Sequence, residues 1–246
     1  MEICLTLSGG VARGLAHIGV LKALLSAGIK IKAISGSSAG AIVGAFASAG
    51  YTPDQMVEIA LSVSPFKVFK PSFPPKVSLL SGKPVEEFFR KYLPKSFGEL
   101  KIPLWVSATD LKTGEGVLIN RGDLPKAVTA SSALPPFFPP VELEGRLLND
   151  GGFTNDLPVE PFLRENCFRL CVDVTPLGEK EKFSNPVDVA MRSLFIALRG
   201  IKLQKYALCD RVLTPDLRGY SFVNYRAVNK LVEKGFECAV KFLKSL

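Results

Sequence analysis

Ile29-Lys30-Ile31-Lys32-Ala33-Ile34-Ser35-Gly36-Ser37-Ser38-Ala39-Gly40-Ala41-Ile42-Val43-Gly44-Ala45 is the stretch that decides the fold. An apolar run over 29–35 leads into a Gly-Ser-Ser-Ala-Gly turn, and a helix of small residues then continues to Ala49. The turn matches G-x-S-x-G, and its place between a strand and a helix is the context in which that motif carries chemical meaning. Upstream, residues 2–8 form a short apolar run, glycines follow, and a helical pattern extends from Val11 to Ser26 and stops at Gly28. Strand–helix–strand–helix at this spacing predicts parallel pairing with right-handed crossovers, and so an α/β class.

Downstream, Thr52-Pro53-Asp54-Gln55 reads as a helix start, with Thr52 as N-cap and Gln55 at the capping-box position. Residues 64–80 interrupt the pattern with prolines among Phe66, Phe69 and Phe73. They read equally as a lid or as an ordinary excursion packed on the core. Strands are expected over 103–109, 115–120, 140–144 and 168–174, and helices over 83–92, 122–133, 186–199 and 224–245. The last is amphipathic, a pattern that mostly faces a core. No repeat or charged linker divides the 246 residues, so one domain is expected.

The net charge is +8, with the lysines spread along the chain. Nucleic-acid binding calls for a clustered basic stripe with exposed aromatics, so no nucleic-acid partner is expected. Attraction to an anionic membrane surface and a plainly solvated surface remain as readings of the charge. The first residues carry no basic region followed by an apolar one, and no apolar run is long enough to span a bilayer. A cytoplasmic protein, with peripheral contact at the inner membrane surface as an extension, is therefore expected. Five cysteines (Cys4, Cys167, Cys171, Cys209, Cys238) lack metal-ligand spacing and read as reduced, buried thiols. Neither metal nor cofactor is expected.

Three elements carry the chemistry. Ser38 stands at a sharp strand-to-helix turn, where a strained backbone and the positive helix end suit a nucleophile; a Ser/Gly helix cap is the bland alternative. Gly9-Gly10-Val11-Ala12-Arg13-Gly14 closes the first strand and opens the first helix, so its consecutive N–H groups can face an anion. It matches neither the phosphate-loop nor the dinucleotide spacing. His17 is the sole histidine and sits in the first helix among Leu15, Ala16 and Ile18. A packed, hydrogen-bonded core role suits it better than that of base, so a carboxylate must act directly on the serine. Asp150, in Leu147-Leu148-Asn149-Asp150-Gly151-Gly152, is the best candidate, with a β-turn as the alternative reading.

In this order the elements resemble patatin-like phospholipases, whose pattern is a G-G-G-x-[RK]-G loop, a G-x-S-x-G nucleophile turn and a D-G-[GA] element. The similarity continues in Leu15–Leu21, in Ser131-Ser132-Ala133-Leu134-Pro135 with Phe138-Pro139-Pro140, and in Asn155 and Leu157-Pro158-Val159. It covers residues 1–175 well and the helical remainder, 185–246, loosely. The chain looks like the compact bacterial branch and is similar to the catalytic domain of neuropathy target esterases. The resemblance implies a three-layer α/β/α fold around a mainly parallel sheet. It also implies a metal-free Ser38–Asp150 dyad that hydrolyses fatty-acyl esters of phospholipid or lysophospholipid through an acyl-enzyme. Amides of Gly9, Gly10 and Val11 would form the oxyanion hole. Arg13 would buttress that loop, with Gly36, Gly40, Gly151 and Gly152 in support. An acyltransferase or thioesterase would use the same residues, and a non-catalytic acyl-binding regulator would keep the same fold. With a carboxylate base, the near-neutral histidine titration typical of triads is not expected in the rate. Val11 departs from the family's third glycine, and its amide is expected at negative φ, because a β-branched residue at positive φ is an outlier.

Overall fold

The computed structural model describes residues 1–63, 70–74, 77–178, 183, 186–222 and 225–245. In chain order the strands are β1 (Glu2–Leu7), β2 (Lys30–Ser37), β3 (Leu104–Asp110), β4 (Gly116–Ile119), β5 (Val141–Leu143), β6 (Arg146–Asp150), β7 (Phe168–Val172) and β8 (Arg211–Leu213). The α-helices are α1 (Ala16–Ser26), α2 (Ala39–Ala49), α3 (Pro53–Ser62), α4 (Lys83–Tyr92), α5 (Leu124–Ser131), α6 (Pro186–Tyr206) and α7 (Val228–Leu243). The expected strands and helices form, with ends displaced by a few residues, and β8 is an addition that the sequence did not announce. The first helix begins with a 3-10 turn, Val11–Leu15, before α1, and α6 runs on to Tyr206 instead of stopping at 199. The capping box is present: Thr52 Oγ1 accepts the Gln55 N–H, and Gln55 Oε1 accepts the Thr52 N–H.

One mixed sheet has the order β5-β6-β3-β2-β1-β7-β8, with β4 added on β3. β1/β2, β1/β7, β2/β3 and β7/β8 are parallel, while β3/β4, β3/β6 and β5/β6 are antiparallel. The register on β3 positions the site. β2 ends with Ser37 opposite Ser107, and β6 begins its pairing with Asp150 opposite Ala108. Since β4 occupies the other edge of β3, β2 and β6 share one edge and meet end to end. The residue after β2 and the last residue of β6 are thereby brought together.

The helical layers on the two faces of the sheet are unequal. The main core joins Ile3, Leu5 and Leu7 of β1 and Ile34 of β2 to Leu21 and Leu24 of α1, Phe46 of α2, Val128 of α5 and Leu231 of α7. Each buried side chain of this size contributes roughly 1.5–3 kcal/mol. α1 and α7 cross at two glycines: a Cβ on Gly19 would meet Val232 O at 1.8 Å, and one on Gly235 would meet Ala16 O at 1.8 Å. The amphipathic last helix is thus core. The opposite face is thinner, formed by Phe162 against Trp105 and Ala33, and by Leu157 and Val159 against Cys171 and the end of α6.

Of the 64–80 excursion, residues 64–69 and 75–76 lie outside the described residues. Elsewhere in it Ser72 N donates to Leu79 O, and Leu79 and Leu80 donate to Pro136 and Phe137, so the strand-like end is docked while Phe73 stays 96% exposed. No helix among the described residues is long and apolar enough to cross a membrane.

The expectation of reduced thiols is overturned. Cys4 pairs with Cys167 and Cys171 with Cys209, leaving Cys238 free. β7 lies between β1 and β8, parallel to both, and this brings together cysteines that linear spacing keeps apart. Bonds closing sequence separations of 163 and 38 residues stabilise by roughly 2–4 kcal/mol each. Reduction should therefore lower Tm by roughly 10–30 °C, and calorimetry with and without a strong reductant measures it. An unchanged Tm would mean that the bonds do not stabilise the fold.

Candidate active site

Ser38 caps α2 with φ 51° and ψ −120°, strained backbone that turns its hydroxyl out of the sheet. The turn is possible because glycine flanks it: a Cβ on Gly40 would lie 2.2 Å from Leu7 O. Gly36 faces the Gly40 backbone just as closely. Ser38 N donates to Ser131 Oγ at 2.9 Å, so the end of α5 fixes the turn.

Ser38 Oγ donates to Asp150 Oδ2 at 2.7 Å. The other carboxylate oxygen, Oδ1, accepts the Gly152 N–H at 2.8 Å. Asp150 is itself held at its backbone, where its carbonyl accepts from Thr109 Oγ1 and its N–H donates to Ala133 O. Gly151 begins the 3-10 turn that carries the chain away behind the carboxylate. Burial pushes the Asp150 carboxyl up to about 7; the bonds from Ser38 and Gly152 pull it down, and the Asp156 carboxylate adds a smaller upward push. A base near 7 is matched to work at neutral pH. A near-neutral titration of the rate would therefore come from this desolvated carboxylate, while the histidine titration typical of triads is still not expected. As a base Asp150 would have to be ionised before proton transfer, so a rate rising with pH through about 7 is the expected outcome, read from a pH–rate profile.

His17 is fully buried, and its Nε2 donates to the Ser8 carbonyl at 2.9 Å. Burial depresses its pKa to about 4, with the Ser8 bond and Asp173 opposing. It is a neutral strut beneath the glycine loop.

In that loop the structure corrects two expectations. Gly9 N–H donates to Asp156 Oδ1 at 2.9 Å and so is not free for an oxyanion. Val11 has φ 51°, although it is β-branched. The N–H groups of Gly10 and Val11 donate to no protein acceptor among the described residues and sit at the cavity holding Ser38 and Asp150. Arg13 does not reach that cavity. Its guanidinium donates twice to Tyr220 O and lies 3.9 Å over the Phe222 ring, and burial lowers its pKa to about 10. Ala12 N–H donates to Phe222 O, so the loop is tied to the chain beyond β8.

Above the polar floor the cavity walls are apolar: Leu134, Phe153, Met191, Leu194, Phe195 and Leu198. Four of these lie on α6. Sequence reading found that helix without its role, since spacing does not tell which core a stripe faces. Ser131, Asp156 and Lys202 were also missed. The first two lie beside motif residues, Ser131 in Ser-Ser-Ala-Leu-Pro and Asp156 directly before Leu-Pro, and those contexts were the available signal.

A β-branched residue at positive φ costs about 1–3 kcal/mol, and glycine loses about 0.5–1 kcal/mol of that relief to chain entropy. Val11→Gly is therefore expected to stabilise the protein by about 1 kcal/mol, read from urea midpoints at constant m. A loss of stability would show that the Val11 side chain is needed for packing.

A family model described as patatin-like phospholipase matches residues 5–163. An uncharacterized NTE family protein of Mycobacterium tuberculosis is 38% identical over 169 residues, covering 67% of this chain and 46% of the relative. Patatin-like phospholipase domain-containing protein 6 of Mus musculus is 34% identical over 168 residues, 64% of this chain and 12% of that protein. The chain thus spans less than half the length of these relatives. VipD from Legionella pneumophila shares the fold with a TM-score of 0.56 at 16% identity, covering 99% of this chain and 67% of that one. The type III effector ExoU does so with 0.58 at 15%, covering 99% and 53%. With the glycine loop, the G-x-S-x-G turn and the Asp-Gly-Gly element all inside the matched span, the chain belongs to the patatin-like phospholipase family.

Proposed function

We propose that this chain is a serine lipid acyl hydrolase that cleaves fatty-acyl esters of phospholipid or lysophospholipid through an acyl-enzyme. The observation that carries the reading is the 2.7 Å bond between Ser38 Oγ and Asp150 Oδ2, on the floor of an apolar-walled cavity beside two free amides. Ionised Asp150 takes the proton of Ser38 Oγ as that oxygen bonds to the acyl carbonyl carbon. The carbonyl oxygen becomes an anion facing the N–H groups of Gly10 and Val11. On collapse the ester C–O bond breaks, and Asp150 returns the proton to the leaving alkoxide. Water then attacks the acyl-serine, Asp150 again accepting a proton and passing it to Ser38 as the fatty acid departs. Arg13 holds the loop through Tyr220 and Phe222. Every step is supplied by the chain's own groups.

The fatty-acyl chain lies along Leu134, Phe153 and the inner side of α6. The outer side of the same helix exposes Val189, Ile196 and Leu203, one every two turns, together with Ile201. An apolar stripe on the helix that roofs the cavity suits a lipid surface, and the +8 charge favours an anionic one. The paired cysteines favour an oxidising compartment, or the interior of a hyperthermophile, over the ordinary reducing cytoplasm.

The test assays a soluble medium-chain p-nitrophenyl ester and anionic phospholipid vesicles, beside fluorophosphonate labelling. Ser38→Ala and Asp150→Asn should each lose labelling and turnover by a factor on the order of 10³ or more. Ile196→Glu should keep soluble-ester turnover and lose vesicle turnover about tenfold. Wild-type protein that is folded yet neither labels nor turns over would sink the hydrolase reading. Equal vesicle activity in Ile196→Glu would sink the docking face.

A further inference from the structure

Asp156 is buried beneath the glycine loop, and both its oxygens are engaged. Oδ1 accepts the Gly9 N–H at 2.9 Å, and Oδ2 lies 2.5 Å from Lys202 Nζ. Lys202 is buried on α6, one turn beyond Leu198 of the cavity wall. Its ammonium also lies 3.0 Å from Asp173 Oδ1 and donates to the Thr175 hydroxyl. Asp173 is held in turn by the Thr175 N–H at 2.8 Å and by the Tyr206 hydroxyl, also from α6, at 2.6 Å.

What this holds is Gly9, where two peptide planes meet: its N–H belongs to the Ser8–Gly9 peptide and its carbonyl to the Gly9–Gly10 peptide. The Gly9 carbonyl accepts from Ser8 Oγ at 2.9 Å, while the Gly9 N–H is held by Asp156. In a trans peptide the N–H of the next residue points opposite to the carbonyl. Fixing Gly9 at both ends therefore aims the Gly10 N–H, one of the two free donors. Glycine offers no side chain to do this, and an oxyanion donor works only when it is preorganised. Asp156 can hold its place because the Lys202 ammonium beside it offsets the cost of burying its charge.

We propose that Asp156 is a positioning residue for the oxyanion hole, clamped by Lys202, so that the seating of α6 over the acyl cavity is transmitted to the Gly9–Gly10 peptide. The inference rests on the dyad reading above. It adds that the wall that receives the acyl chain and the donors that stabilise its oxyanion are mechanically one unit.

The test compares wild type with Asp156→Ala, Asp156→Asn and Lys202→Met, using soluble-ester kinetics and amide hydrogen exchange of residues 8–14. In Asp156→Ala, kcat should fall about 10- to 100-fold with KM within about threefold. Exchange should rise in 8–14 while β1 and β2 stay protected. In Asp156→Asn the amide oxygen still accepts the Gly9 N–H, so kcat should return to within about fivefold of wild type. The acidic limb of its pH profile should move to lower pH, because Asp156 is the carboxylate beside Asp150, while Lys202, Asp173 and Tyr206 stay in place. Lys202→Met should raise exchange in both 8–14 and α6. Wild-type kcat and protection in Asp156→Ala would overturn the proposal. So would an Asp156→Asn variant as damaged as Asp156→Ala with an equally lowered Tm, which marks a role in folding alone. If Ser38-dependent turnover is missing from the wild type, the dyad reading fails by itself, and the exchange of residues 8–14 still decides the clamp.

Discussion

The edge of β3 is shared by two strands, and the rest of the site depends on that arrangement. β2 runs parallel to β3 and ends at Ser37; β6 runs antiparallel and ends at Asp150, one register step further along. A fully parallel sheet would carry the next strand alongside β2 and leave the nucleophile facing a loop. Here the mixed pairing delivers a carboxylate to Ser38 from the backbone itself. Asp150 is positioned by its own ladder, by Thr109 and by Gly152. The same enclosure removes water from the carboxylate, and desolvation raises it to about 7. Position and basicity thus have one cause.

Much of this was legible in the residues. Ser38 between two glycines, in a strand-to-helix turn, announced the crossover and the candidate nucleophile. The single histidine, set inside an apolar helix, argued against a triad and directed attention to a carboxylate. Asp-Gly-Gly at the end of an apolar run marked the carboxylate that the fold brings to Ser38 Oγ. These signals are local, since each motif carries within a few residues the backbone conformation it requires.

What escaped the sequence is contact across long separations or against local preference. Asp156 meets Lys202 because α6 folds over the site, and nothing in Asn155-Asp156-Leu157-Pro158 announces an ammonium 46 positions later. The cysteine pairs follow from β7 lying between β1 and β8, which is a property of strand order and not of spacing. Val11 was expected at negative φ because valine prefers it. The loop imposes φ 51° instead, and the burial of Ala12, Gly14 and Ala16 around it maintains that conformation. Tertiary constraint outweighed local preference at the position where the free amides are displayed.

α6 gathers most of what distinguishes this chain. Its inner side supplies four of the apolar residues over Ser38, its last turns carry Lys202 and Tyr206 into the buried ionic cluster, and its outer side is apolar and exposed. Exposed apolar residues on a helix whose other side already faces a core are costly to leave in water.

The central claim is that Asp150, and not His17, activates Ser38. The most direct measurement is the rate of fluorophosphonate labelling of Ser38 as a function of pH, in wild type and in His17→Gln, whose amide can still donate to the Ser8 carbonyl. The account predicts that both proteins label with a rate that rises with pH and levels off above a midpoint near 7. A midpoint present in the wild type and abolished in a folded His17→Gln would assign the titration to the histidine and contradict the dyad.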